Sequence, residues 1–319
     1  MRRAVAAVLA SATLAAPYAL ASPPPQLPCI EPVTTCPKPQ PAPAKPPAKR
    51  DTTAYHGLGT WVDAYDYSRE YKGRTAPSSV NDMANLGVKT LYIQGAKDRN
   101  GGETGVLSPD LLGEFLERAH ANKMRVIAWY LPRFLDPNRD WTHVNALINF
   151  RSHGHKFDGI GIDIESREEG DVKTRNDRLV ALSSKLRQAA GAMAVSAIVV
   201  PPVVTDDINP NFWPSFPWSR IKASYDAWIP MSYWTNRSKQ PEWKDAYKYC
   251  SENAKLLRKD LGDASAVVHI AGGVGTTATT KDYDGMVRAA KDTKSVGVSV
   301  YDYAVTARSA YPTLRKSPT

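Results

Sequence analysis

Eight short apolar runs spaced through most of the chain set the strongest limit on how it can fold. They are Gly57 to Asp63, Lys89 to Gln94, Arg125 to Leu131, Phe157 to Glu165, Ala194 to Pro201, Ala227 to Trp234, Val267 to Gly272 and Gly297 to Tyr303. Amphipathic stretches separate most of them, the clearest being Pro109 to Asn122, Lys173 to Ala190, Glu242 to Leu261 and Lys281 to Thr293. In the first of these, Leu111, Phe115, Leu116 and Ala119 fall on one helical face. Ser108-Pro109-Asp110 before it reads as a cap with proline in the first turn. Strands alternating with helices predict parallel pairing through crossovers. The count of eight, with no glycine-rich dinucleotide fingerprint after the first strand, favours an α/β fold of the closed (β/α)8 TIM-barrel type over residues 51–319, against an open doubly wound sheet. Pro201 to Pro217 reads as loop, an excursion over the active face.

The chain start reads differently. Arg2 and Arg3 precede an uncharged apolar run, Ala4 to Ala16, and Ala19-Leu20-Ala21 offers small residues for cleavage. Residues 1–21 are therefore expected to be a secretory signal peptide, too short and alanine-rich for a retained span. Residues 22–50 are dominated by proline and are expected to form an extended tether without a core. Export would allow Cys29 and Cys36 to close a small disulfide loop. Gln26-Leu27-Pro28 argues against lipid on Cys29, and Cys250 is expected as a buried thiol in a helix. The expected location is secreted or at the cell envelope, with no membrane span after cleavage.

A formal charge of +9 looks like a sign of an acidic partner. The two leader arginines and a net three charges in the tether leave only four for residues 51–319. That excess is ordinary for a large domain, and no nucleic-acid partner is expected.

The most informative run is Phe157-Asp158-Gly159-Ile160-Gly161-Ile162-Asp163-Ile164-Glu165. Side chains alternate along a strand, so the three isoleucines share the helix-facing side. Gly161, Asp163 and Glu165 then point into the barrel, with Glu165 at the carboxyl end where this fold keeps its chemistry. Two acids two residues apart repel, and enclosure raises one toward neutrality, as a proton donor requires.

The stretch Asp158 to Glu165 resembles the fourth-strand signature Asp-Gly-x-Asp-x-Asp-x-Glu of family 18 glycoside hydrolases, the chitinase-like barrels. Met231-Ser232-Tyr233-Trp234 is similar to their sixth-strand Met-x-Tyr-Asp. The resemblance implies Glu165 as general acid/base, Asp163 as the group that orients and stabilises an N-acetyl substituent, and Tyr233 as a second contact to it. It further implies substrate-assisted retention, in which the sugar's own acetamido oxygen attacks the anomeric carbon. Gly161 and Trp234 stand where the family has aspartates.

Trp61 and Asp63, with Asp66 beyond, follow on the first strand, and an acid there with Asp-x-Glu on the fourth also resembles family 25 lysozyme-like barrels. Trp61, Trp129, Tyr130, Tyr233, Trp234, Tyr301 and Tyr303 gather near strand carboxyl ends, where ring faces can stack on sugars. Asp302 has the opposite parity to the tyrosines beside it. The expected site is thus Glu165 and Asp163 as catalytic residues, with Tyr233, Trp234, Trp61, Asp63, Trp129 and Tyr301 binding substrate. His153-Gly154-His155 and Gly272-Gly273-Val274-Gly275 read as turns, and no metal or cofactor is expected. The leading reading is a monomeric secreted glycoside hydrolase acting on a polysaccharide or oligosaccharide, with chitin or peptidoglycan as candidates. The alternatives are a glycan-binding barrel without activity, a lysozyme-like hydrolase and a structural envelope protein.

Overall fold

The computed structural model describes residues 50–98, 105–274 and 277–319. The expected signal peptide, nearly all of the expected tether, Cys29, Cys36 and Gly275 lie outside the described residues. Eight parallel strands close into a barrel in sequence order. They are β1 (Gly57–Val62), β2 (Thr90–Gln94), β3 (Arg125–Tyr130), β4 (Gly159–Ile164), β5 (Ala194–Val199), β6 (Ala227–Ser232), β7 (His269–Val274) and β8 (Gly297–Tyr301). The helices are α1 (Ala64–Tyr67), α2 (Ser79–Asn85), α3 (Pro109–Ala121), α4 (Pro137–Asn149), α5 (Val172–Ala190), α6 (Trp218–Ile221), α7 (Ala246–Leu261), α8 (Thr280–Asp292) and α9 (Tyr311–Leu314). Each anticipated strand is present, its ends shifted by no more than a few residues.

Period-two burial divides the core into two layers. Ile160, Ile162 and Ile164 belong to the layer between sheet and helices, together with Leu112, Phe115 and Leu116 of α3. Trp61, Tyr92, Ile127, Trp129, Ile198, Ile229 and Met231 fill the barrel interior. Two acids set the starts of even-numbered strands in the same way. Asp158 accepts the Val126 amide at 2.8 Å, and Asp226 accepts the Val195 amide at 2.9 Å, so each carboxylate tethers a strand to its predecessor. Arg125 and Arg187 neutralise them.

The amino-terminal end of the barrel is closed. Tyr55, fully buried, points its hydroxyl at the carbonyls of Ala194 and Ile160, at 3.3 and 3.5 Å, and its own carbonyl lies 2.7 Å from His269 Nδ1. Strands β8 and β1 meet so closely there that a Cβ on Gly297 would lie 2.2 Å from the Gly57 carbonyl oxygen.

Two local expectations need correction. Ser108 does not cap α3 with its side chain; its φ is 34° and its hydroxyl bonds to Glu70 while accepting the Arg69 amide at 2.9 Å. The serine ties the β1–α2 segment to the helix start instead. Pro201 to Pro217 is indeed without a long helix, but no side chain from it lines the central cavity. Val204, Ile208 and Phe212 pack on the inner layer, and Trp213 turns away, giving its Nε1 proton to Asn176 at 2.8 Å. Cys250 is fully buried in α7, as its apolar setting requires, and burial pushes its thiol up.

Candidate active site

At the carboxyl end of the strands lies a cavity of about 330 Å³. Asp163 and Glu165 share it with Trp61, Asp63, Trp129, Tyr233 and Tyr301, so seven of the eight anticipated residues converge. Alternation on β4 puts Asp163 inside, while Glu165 follows the strand's last residue and reaches solvent at the mouth. Asp163 is only 7 % exposed. Its Oδ1 has no hydrogen-bond partner among the described residues, and neither carboxylate is held in an ion pair there. Burial raises Asp163 well above the ordinary carboxylate range, and the neighbouring Glu165 adds to it. Partial desolvation by the cavity walls also raises Glu165, although its side chain reaches solvent. The two acids therefore hold a proton at pH values where isolated carboxylates have lost it.

The remaining walls are aromatic and ordered by their own bonds. Trp61 stacks on Tyr92 with ring centres 4.5 Å apart and donates Nε1–H to Ser299 at 2.8 Å. Trp129 meets it edge-on at 5.9 Å, and its own Nε1 is buried without a partner among the described residues. Tyr301 donates its hydroxyl to Asp63 Oδ2 at 2.7 Å, while Asp63 Oδ1 accepts the amides of Tyr65 and Asp66 as the cap of α1. Asp63 thereby orients Tyr301, whose ring lies 6.0 Å from that of Tyr233. Tyr233 is raised well above the usual phenol value, first by burial and then by Asp163 and Glu165. It stays a hydrogen-bond donor.

Asp66 and Asp302 sit behind this wall. Burial pushes Asp66 up to about 7, with Asp302 and Asp63 contributing, and Asp302 is raised chiefly by burial. Neither lines the cavity. Tyr303 is outside as well, bonded to Asp82 at 2.8 Å, and Tyr130 points outward to Asp140 at 2.7 Å.

Trp234 is the one anticipated site residue that the cavity excludes. It has the opposite parity to Tyr233, begins a 3-10 turn and is 3 % exposed. Its indole packs edge-on against Tyr283 and covers Gly272 and Gly273; a Cβ on Gly272 would meet the ring at 2.7 Å. Sugar cannot reach it. Gly161 faces the interior, and a side chain there would press on its neighbours. A Cβ there would lie 3.0 Å from Ile198 Cδ1, 3.2 Å from Ser196 Oγ and 3.4 Å from Trp129 Cβ.

The cavity also contains Tyr65, Gln94, Lys97, Leu131, Ile198, Met231 and Asn236, which sequence reasoning did not single out. Inward parity with Tyr92 was a usable signal for Gln94. Lys97 and Asn236 lie in loops, where no periodicity marks orientation. The two histidines 153 and 155 lie away from the site, facing Glu117 and His120 respectively, at 2.8 Å each.

The raised acid inside predicts a pH effect on stability. A native carboxyl with a raised pKa binds its proton more tightly than the unfolded chain does, so stability falls as pH rises from about 4, the unfolded value, through the folded one. Asp163→Asn removes that loss. Thermal unfolding at pH 5 and pH 8 should show a flatter profile for the variant and a gain of about 1–3 kcal/mol at the higher pH. A variant whose gain over wild type is the same at both pH values would contradict the burial argument.

No protein-family model matches the sequence, and no curated protein matches it. Solved structures do share the fold. A class V chitinase from Pseudomonas fluorescens Pf-5 superposes with a TM-score of 0.59 at 8 % identity, covering 82 % of this chain and 99 % of that one. The Bacillus cereus spore cortex-lytic enzyme SleL gives 0.58 at 7 % identity, with 83 % and 74 % covered. The endo-1,4-β-D-mannanase of Thermotoga petrophila RKU-1 gives 0.59 at 12 % identity, with 77 % and 88 % covered. In fold, this chain is similar to chitinase-like and other glycoside-hydrolase barrels.

Proposed function

We propose that the chain is a secreted glycoside hydrolase that cleaves a polysaccharide containing N-acetylhexosamine units. One observation carries the reading: two unneutralised carboxyls, both raised, share an aromatic-walled cavity at the open end of the barrel. The fold likeness to chitinase and cortex-lytic barrels supports it. Glu165, at the mouth, delivers its proton to the glycosidic oxygen while the substrate's acetamido oxygen attacks the anomeric carbon. Asp163 and the Tyr233 hydroxyl orient the acetamido group. Glu165 then takes a proton from water as the ring intermediate opens. Trp61, Trp129 and Tyr301 supply apolar faces for the sugar. The leader and the proline-rich tether fit export and display at the envelope.

The test is product analysis after incubating the purified chain with chitin, peptidoglycan and α- and β-glucan oligosaccharides, beside Glu165→Gln. Cleavage of an N-acetylhexosamine polymer that disappears in the variant supports the reading. Cleavage that persists in the variant removes Glu165 from the mechanism. A second reading, a glycan-binding barrel without turnover, draws on the crowding around Gly161, which leaves Asp163 without a deeper carboxylate partner. It predicts saturable calorimetric binding and no product.

A further inference from the structure

We propose that the site selects a glycan bearing a carboxylate, and that Lys97 binds that carboxylate in a compartment beside the one holding Asp163 and Glu165. The inference rests on the glycoside-hydrolase reading and names its substrate class. The catalytic cavity shares Gln94, Lys97 and Leu131 with a second cavity of about 430 Å³, which adds Tyr71, Asp98, Arg133 and Glu168. The three shared side chains set the two cavities side by side at the ends of β2 and β3.

Charge is distributed unevenly between them. The first compartment carries Asp63, Asp163 and Glu165, acids that offer an anion no opposite charge. In the second, the acids are already matched: Arg133 bonds both Glu168 and, at 2.6 Å, Asp98, which Arg139 also approaches at 3.4 Å. Lys97 stands at the junction. Its Nζ lies 4.6 Å from the centre of the Tyr65 ring and 5.6 Å from that of Tyr71, and the two rings are 4.5 Å apart. It has no ion pair with a carboxylate among the described residues. Ring faces hold an ammonium in place without cancelling its charge. Tyr65 is 58 % exposed, so the arrangement presents an apolar platform with a fixed cation on it.

A neutral polymer would cover that ammonium and offer it hydroxyl and carbonyl dipoles but no opposite charge. A single carboxylate on the neighbouring sugar matches a single ammonium, and the adjacent tyrosine faces suit the sugar ring that carries it. Two glycan chemistries supply such a group: a uronic acid, or an amino sugar with a lactyl ether.

Calorimetry tests this with the full chain carrying Glu165→Gln, so that ligands survive the titration. The probes are a peptide-free peptidoglycan tetrasaccharide, a tetrasaccharide alternating glucuronate with N-acetylglucosamine, and chitotetraose. One acidic probe should bind at least about tenfold tighter than chitotetraose. That advantage should shrink in high salt, vanish in Lys97→Met and persist in Lys97→Arg. Which acid wins identifies the source of the carboxylate. Equal binding of all three, or a preference that survives Lys97→Met, overturns the inference while leaving hydrolysis of neutral chitin intact. Failure of the variant to bind any of them, together with no cleavage of any by the wild-type chain, overturns the hydrolase reading as well.

Discussion

Glu165→Gln should lower glycan turnover by roughly 10²–10⁴-fold, the usual contribution of a positioned proton donor. The amide keeps the shape of the side chain but has no proton to give at working pH. Folding should be untouched, because Glu165 reaches solvent and is held by no ion pair among the described residues. The melting temperature should stay the same or rise slightly, since Glu165 is one of the causes that raise Asp163. Turnover and melting curves on the same preparations separate lost chemistry from lost structure. A variant that melts early would mean that Glu165 is part of the scaffold.

Gly161→Asp should destabilise the barrel by about 3 kcal/mol or more, in place of restoring a missing acid. The new carboxylate would enter an interior that already holds Asp163, and its Cβ alone would press on Ile198 Cδ1 at 3.0 Å. The isoleucine tip can rotate; the charge has no counterion to meet. On a domain of this size such a loss corresponds to a drop of roughly 6–12 °C. Adding Ile198→Ala creates room, so the double variant should lose less than the two single losses combined, by about 1 kcal/mol. Strict additivity in thermal unfolding would show that Ile198 is not what fills the position.

These two residues also show what sequence pattern could and could not say. The order of strands was readable because each run is apolar on both faces, and a parallel sheet buried on both sides demands that. The inward placement of Asp163 followed from alternation with Ile162 and Ile164, a local rule that tertiary packing did not override. Trp234 illustrates the opposite case. Its aromatic ring at a strand end drew it into the expected site, yet its parity relative to Tyr233 already opposed that, and the glycines at 272 and 273 provide the shelf it occupies. Lys97 was invisible because its position depends on rings from the segment after β1, brought near it only by folding. The closeness of Ile198 to Gly161 was equally hidden, since it arises from the register of β5 on β4.

The tyrosine plug at residue 55 has a consequence for the traffic of molecules. With the floor shut by its hydroxyl and by the tight meeting of glycines 57 and 297, reactants and fragments must come and go at the carboxyl-end mouth. The water that completes hydrolysis has to arrive past whatever sugar still occupies that entrance. Slow departure of the leaving fragment would therefore throttle the second half of the reaction, and short products should act as competitive inhibitors.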